Sequence, residues 1–327
     1  MKKSLFFAIL PLLALLWNCS GSSLVNISAT GKPYEVFVVT EKPIWNGAAG
    51  DSLRMVMNEE VLWLNQPEPL FDLFNITPQA LNDITKRHRN LLFLNVDKSV
   101  DTTTFTVKTD RWASGQIVMD ITAPSAATAA DYIAQNSLEL MGFIGDVEQN
   151  RMNQRAKKYN DPRIEKLILE KFGIRMSFPR GYRVANDAED FLWLTYEMPI
   201  ASQGVVIYSF DRPTSTTEKL SVLEQRNLAA QKIPGPVDGS YMTSDMIFTP
   251  ESTSVEINDI GWILTQGFWR VEGDFMGGPF INYATFNKNT GRYIAFDMYV
   301  YSPSPRYPKR NYVRQLESLM LGVSIAE

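Results

Sequence analysis

The stretch Phe105-Thr-Val-Lys-Thr-Asp-Arg-Trp-Ala-Ser-Gly-Gln-Ile-Val-Met-Asp-Ile-Thr122 sets the fold class. It runs through Pro124-Ser125 into residues 126–160, AATAADYIAQNSLELMGFIGDVEQNRMNQRAKKYN. In the first part Ile117, Met119 and Ile121 alternate onto one face and Ser114-Gly115 marks a bend, which is the pattern of a β-hairpin. In the second, Ala, Leu, Met and Gln favour helix, weakened in the middle by Gly142 and Gly145. A hairpin feeding a long helix points to an α+β protein.

Working toward the N-terminus, Leu91–Val96 reads as a strand and Thr77-Pro78 as a helix start with Pro at its first position. Phe71–Phe74 reads as a loop between prolines, Asp51-Ser52 as a helix cap, and Tyr34–Thr40 as a buried strand. Toward the C-terminus, Asp161-Pro162 ends the long helix, and Arg163–Phe172 forms another helix, stopped by Gly173. Extended structure follows at Ile174–Pro179, Phe191–Tyr196 and Gly204–Phe210. Ser215 with Glu218 then makes a capping box for a helix reaching about Lys232. From Ser254 to Ser302 the chain is strand-rich, with Asn289-Thr-Gly291 as a tight turn, and Tyr312–Leu321 closes it as an amphipathic helix. Each half thus pairs antiparallel strands with long helices. Thr109-Asp-Arg-Trp112 before Pro124-Ser125 is echoed by Thr290-Gly-Arg-Tyr293 before Pro303-Ser304, a short likeness that fits either a diverged duplication or chance.

The first residues carry a different message. Lys2 and Lys3 precede an apolar run from Leu5 to Trp17 that stops at Asn18-Cys19, the three-part pattern of an export signal. The run is shorter than the about 20 residues a membrane helix needs. Cys19 is the only cysteine, placed where a bacterial lipoprotein receives its diacylglycerol. Because Asn18 replaces the usual small residue before that cysteine, an ordinary cleaved signal or an uncleaved anchor is the alternative. The expected organisation is a signal peptide over 1–18, a lipidated tether over 19–30, an N-terminal α+β domain over 31–173 and a strand-rich C-terminal α+β domain over 174–327.

Composition narrows the function. The chain has 45% hydrophobic and 21% charged residues, which suits a folded body. Without Lys2 and Lys3, 30 basic residues face 36 acidic ones, a net charge of −6 that argues against nucleic acid. His88 is the lone histidine, flanked by Lys86, Arg87 and Arg89, and reads as an exposed helix end. With one histidine and one cysteine, neither a Ser-His-Asp triad away from His88 nor a zinc cluster can be assembled. Gly277-Gly278-Pro279 reads as a turn rather than a phosphate loop. No catalytic, cofactor-binding or metal-binding residue is assigned, and no cofactor is expected. Asn26-Ile-Ser28 and Asn75-Ile-Thr77 match the glycosylation pattern by chance.

A specific resemblance appears in the second half, at Phe178-Pro-Arg-Gly-Tyr182, Asp190-Phe-Leu-Trp193, Trp269-Arg-Val-Glu-Gly-Asp-Phe-Met-Gly-Gly-Pro-Phe280 and Arg310-Asn-Tyr-Val-Arg-Gln-Leu-Glu317. These resemble an uncharacterised family of lipoproteins of the Bacteroidota, defined only as a domain of unknown function. The resemblance implies an envelope lipoprotein and supplies no catalytic residues. It also implies the periplasmic face, because exported surface lipoproteins of this group tend to carry acids soon after the cysteine and Ser20 to Leu24 has none.

Three surfaces remain as candidates. Asp187, Glu189 and Asp190, or Glu272 and Asp274, are the carboxylate clusters that a hydrolase of envelope polysaccharide or peptidoglycan would need. Arg151, Arg155, Lys157 and Lys158 form a basic helix face that could meet anionic headgroups or cell-wall polymer, or simply be solvated. The strand Ile294–Tyr301 carries Asp297, Tyr299 and Tyr301 on one face, a possible ligand face for sugar or peptide unless a helix covers it. The function that fits best is a lipid-anchored periplasmic binding or scaffolding module, with the membrane and an envelope protein or glycan as partners. The hydrolase is the alternative.

Overall fold

The computed structural model describes residues 27–212 and 218–326; the leader, Cys19, the first part of the tether and Ser215 lie outside the described residues. Among the described residues, two large sheets packed by helices, with a small two-stranded sheet beside them, give the expected α+β architecture. In the first, β1 (Glu35–Val39) is apolar almost throughout because it is covered on both sides. The chain crosses over through α1 (Lys42–Trp45) and α2 (Ala48–Met57) and returns as β2 (Asp72–Ile76), parallel to β1 with Phe37 opposite Phe74. β3 (Asn90–Val96) lies parallel on the other side of β1. The hairpin of β4 (Thr104–Thr109) and β5 (Ile117–Ala123) completes the order β2-β1-β3-β5-β4, with β5 parallel to β3. Only β4 therefore runs antiparallel in this sheet.

Ile117, Met119 and Ile121 face inward onto Leu53 of α2, Ile133 of α3 (Ala126–Gln135), and Leu140 and Ile144 of α4 (Ser137–Lys158). Ser125 caps α3: its hydroxyl accepts the Thr128 N–H at 3.1 Å while the Thr128 hydroxyl accepts the Ser125 N–H. The break in the long helical stretch falls at Asn136, between α3 and α4. Gly142 and Gly145 lie inside α4 with open space around them, so they cost helix propensity without interrupting the helix.

Three local readings are corrected. The segment read as a loop at Phe71–Phe74 enters β2, an edge strand held by pairing with β1. Thr77-Pro78 opens a single 3₁₀ turn, Pro78–Ala80, since no apolar stripe follows to dock a longer helix. α2 begins at Ala48 behind Gly47, one turn before Asp51-Ser52.

Asp161 caps α5 (Pro162–Phe172), its carboxylate accepting the Arg163 N–H at 3.0 Å, and Gly173 ends it at φ 65°. After the short β6 (Ile174–Arg175) come β7 (Arg183–Ala188), β8 (Phe191–Glu197), β9 (Ser202–Asp211), α6 (Glu218–Ala230), β10 (Tyr241–Ser244), β11 (Glu251–Ile257), β12 (Ile260–Glu272), β13 (Gly277–Asn287) and β14 (Arg292–Tyr301). The large sheet has the order β10-β12-β13-β14-β9-β8-β7, with β11 also on β12, and every pairing is antiparallel. β11 and β12 are joined by Asn258-Asp259, both at positive φ, the two-residue turn that matches strand twist. α5 and α7 (Arg310–Leu319) cover one face and α6 the other; β15 (Ser324–Ile325) returns to pair with β6.

Ile164, Ile168 and Phe172 of α5 join the core of the large sheet. By packing, α5 groups with the C-terminal half, although a divide after Gly173 assigns it to the N-terminal one. α4 spans the two cores, with Ile144 in the first and Ala156 in the second. The two sheets differ in topology, so the likeness between Thr109-Asp-Arg-Trp112 and Thr290-Gly-Arg-Tyr293 extends to a local hairpin-then-helix order and no further.

Candidate functional site

The suggested ligand face of β14 is core. Asp297 is 1% exposed and lies under α6, where Arg226, itself fully buried, brings its Nε to 3.0 Å from Asp297 Oδ1. Arg226 Nη1 donates to Ser244 Oγ at 3.0 Å, and the guanidinium stands 3.8 Å over the Phe280 ring. Tyr299 is buried, accepts the Trp193 indole N–H at 2.9 Å, and has its phenol pKa pushed up chiefly by desolvation. Gly204 makes room for this ring, since a Cβ there would sit 2.0 Å from it. Of the three residues only Tyr301, at the end of the strand, reaches a recess.

The other expected sites are also spoken for. His88 is not an exposed helix end: it is 4% exposed, stacked on Phe37 at 3.8 Å, with Nδ1 3.0 Å from the Asn90 carbonyl and Nε2 3.6 Å from Glu35. Gly31, at φ 103°, admits the ring, because a Cβ would lie 2.4 Å from Nε2. Burial is the main force lowering the imidazole pKa. Asp187 pairs with Lys171 and Glu272 with Arg270. Asp190 is clasped by Arg292 at 2.6 Å, which holds its carboxyl below the usual range. A carboxylate clasped by a cation is a poor source of the protonated acid that a glycosidase requires. Within the basic run, Arg151 turns inward to Glu148 at 2.6 Å, and Glu148 also takes Arg89 at 2.7 Å. Among the described residues, no three His, Cys, Asp or Glu side chains converge to hold a metal.

What the fold does build is a cleft at one end of the large sheet, roofed by the first half. Its wall is the β12–β13 turn, residues 273–276, inside the Gly-Asp-Phe-Met-Gly-Gly-Pro-Phe segment. Gly273 adopts φ 90°, and Asp274 Oδ1 accepts the Met276 N–H at 3.0 Å, so Phe275 projects fully into solvent. Gly277 and Gly278 serve space instead of turn geometry: a Cβ on Gly278 would meet the Val300 carbonyl at 2.3 Å. On one side of the turn a chamber of 420 Å³ is lined by Asn65, Gln66, Tyr301 and Lys309. On the other, one of 390 Å³ is lined by Leu64, Asp245, Phe248 and Phe268. Trp63 stacks edge-on against Phe268 at 5.7 Å while held at φ 60°, a conformation uncommon for a bulky residue and frequent at functional sites. Leu62, Met246, Ile247, Phe248 and Phe275 leave an exposed apolar rim. In a recess of 590 Å³ at the opposite end of β12 and β13, Thr285 donates to the Gly261 carbonyl and Tyr293 bonds Glu218, while Asp259, Lys288 and Asn289 are exposed.

Lys309 is the distinctive group of the cleft. It is 4% exposed, and among the described residues its ammonium has neither an ion pair nor a hydrogen-bond partner. The nearby Glu68 is committed elsewhere, its two oxygens accepting the N–H groups of Lys309 at 2.7 Å and Arg310 at 2.8 Å. This carboxylate from the first half thus caps α7 of the second. Arg310 completes the clamp by reaching the Pro69 carbonyl and Asp72.

Residues 161–321 match the family model described as a domain of unknown function, DUF4837, and residues 29–157 match a second domain of unknown function, DUF8532. The two matches meet between α4 and α5. No curated protein matches the chain. Among solved structures, a point mutant of the protein Mog1 is similar at a TM-score of 0.32 and 7% identity, over 47% of this chain and 92% of that one. The Saccharomyces cerevisiae Ran-binding protein Mog1p is similar at 0.30 and 7%, over 47% of this chain and 91% of that one. Likenesses this slight carry no functional argument. Among the described residues, no helix is long and apolar enough to cross a membrane.

Proposed function

We propose that the protein is a lipid-anchored binding module of the cell envelope, held through Cys19 on the periplasmic side and presenting the cleft around Phe275 to an envelope partner. The observation that carries this reading is the rim itself: Phe248 and Phe275, exposed apolar side chains on separate segments, line chambers with a few convergent polar groups, and Leu62 and Ile247 are exposed near lining residues in the chain. The leader-like first residues and the single cysteine support the location. The carboxylates that line the cleft, Asp245 and Asp274, each accept a backbone N–H two residues on, which fits loop building better than hydrolysis.

Hydrogen exchange of the intact lipoprotein in detergent, with and without solubilised envelope fraction, tests the binding half of this reading. Protection is expected to concentrate in residues 244–249 and 273–277. Protection elsewhere, or none, refutes it. For the anchor, Cys19→Ala should abolish labelling by an alkyne fatty acid and release the protein from membranes; a Cys19→Ala protein that still takes up label and still sediments refutes lipidation.

A further inference from the structure

A cation held without a counter-ion at the edge of a chamber is a ready partner for an anionic ligand. Lys309 is 4% exposed, lines the 420 Å³ chamber, and among the described residues its ammonium has neither an ion pair nor a hydrogen-bond partner. Its own helix start cannot explain it, because the Lys309 and Arg310 N–H groups are already satisfied by Glu68. Around it stand groups of three kinds. Asn65 is exposed, and Gln66, whose amide N–H donates to the Pro305 carbonyl at 2.9 Å, keeps its oxygen available. Tyr301 offers a phenol and packs its ring 6.0 Å from Trp269. Phe275 presents a ring exposed on all sides at the mouth.

On the reading of the cleft as a binding site, we propose that its ligand is a carboxylate-bearing sugar of an envelope glycan. The carboxylate pairs with Lys309, the planar amides of Asn65 and Gln66 take ring hydroxyls, and the apolar face of the sugar stacks on Phe275. The charge count decides between anions. One ammonium matches a single negative charge, and Asp274, which lines the same chamber, adds a repulsion that grows with ligand charge and so falls hardest on a doubly charged phosphate. A phosphate site would also call for arginines or a row of free N–H groups; Arg270, in the neighbouring chamber, is paired with Glu272.

The test is isothermal titration of the intact lipoprotein in detergent micelles with a uronic-acid disaccharide, its neutral methyl ester and a matching sugar phosphate. The acid should bind at least tenfold more tightly than the ester or the phosphate. Lys309→Met should remove that preference by weakening the acid far more than the ester, while Phe275→Ala, at an exposed tip that the fold does not need, should weaken acid and ester alike. Equal affinity for acid and ester, tighter binding of the phosphate, no binding of the acid, or an acid preference that survives Lys309→Met each overturns the proposal. The acid–ester comparison on the unaltered protein stands even if Lys309→Met fails to fold. If the acid does not bind while envelope fractions still protect residues 273–277 from exchange, the ligand class falls and the binding-module reading remains.

Discussion

Replacing Arg226 by Met tests whether α6 seals the large sheet. Met keeps much of the side-chain volume and removes the charge, leaving Asp297 buried without its partner. At 1% exposure Asp297 cannot recover hydration by rotating outward, and its closest remaining donor is Asn282 Nδ2, at 3.5 Å from Oδ1 and already bonded to the Tyr208 hydroxyl at 3.0 Å. Breaking a buried pair from one side costs about 3–5 kcal/mol. Against a total stability of about 5–15 kcal/mol, that is enough to move a urea midpoint well outside error. The double variant Arg226→Met with Asp297→Leu should regain most of the loss, since no charge is then left behind. The single variant should also have a characteristic pH dependence. An isolated buried carboxyl has its folded pKa raised above the unfolded value, so the variant suffers its full deficit at neutral pH and recovers as pH falls toward about 4. A deficit below about 1 kcal/mol with no pH dependence would refute the reasoning. Asp297 would then reach water, and β14 would again be a candidate ligand face.

Other perturbations test the remaining parts of the argument. Gly278→Ala should cost about 1–3 kcal/mol in a melting experiment, because its Cβ would lie 2.3 Å from the Val300 carbonyl and 3.0 Å from Trp269 Nε1; an unchanged midpoint would mean that β13 and β14 are not this close. His88 is held neutral by burial, so its folded pKa lies below the unfolded value of about 6.5 and the native state loses stability as pH falls through that value toward the lowered one. His88→Leu should abolish this part of the acid sensitivity, and identical pH profiles for the two proteins would show the ring to be solvated. Glu68→Ala removes two charge-assisted hydrogen bonds at the start of α7, for a loss of about 2–3 kcal/mol, and should raise hydrogen exchange in residues 309–313. Exchange confined to residues 60–70 would show that the clamp does not hold the helix.

The hairpin at 104–123 and the strand Leu91–Val96 are legible in the sequence because their determinants are local: alternation, a bend, an apolar run. The same holds for the Ser125 and Gly173 caps, which depend on residues within a turn of each other. The direction of β1, β2 and β3 is not local. Whether an apolar run pairs parallel or antiparallel is decided by the crossover through α1 and α2, and a run such as Glu-Val-Phe-Val-Val fits either arrangement. β2 itself is invisible for the same reason, since Asp72–Ile76 becomes a strand by lying beside β1.

The site divides along the same line. The alternation of β14 correctly puts Asp297, Tyr299 and Tyr301 on one face, yet it carries no information about what lies above them. Arg226, 71 positions earlier, converts that face into core. A buried arginine in a helix was the available signal: among the heptad-like apolar positions of α6, Arg226 falls with Val222 and Ala229 on the inward face, and a charge there demands a partner. Lys309 offers no such signal. Its isolation results from Glu68, 241 positions away, which takes the helix start and leaves the ammonium unanswered. The property that marks the cleft is therefore the absence of a contact, created where two halves of the chain meet. The turn at 273–276 is the part of the cleft that local sequence does determine: glycine at positive φ, an aspartate bonding its own loop, and a phenylalanine left outside with nothing in the fold to cover it. A turn built only for geometry would place a polar residue at that tip, so the exposed ring is best explained by something outside the fold that packs against it.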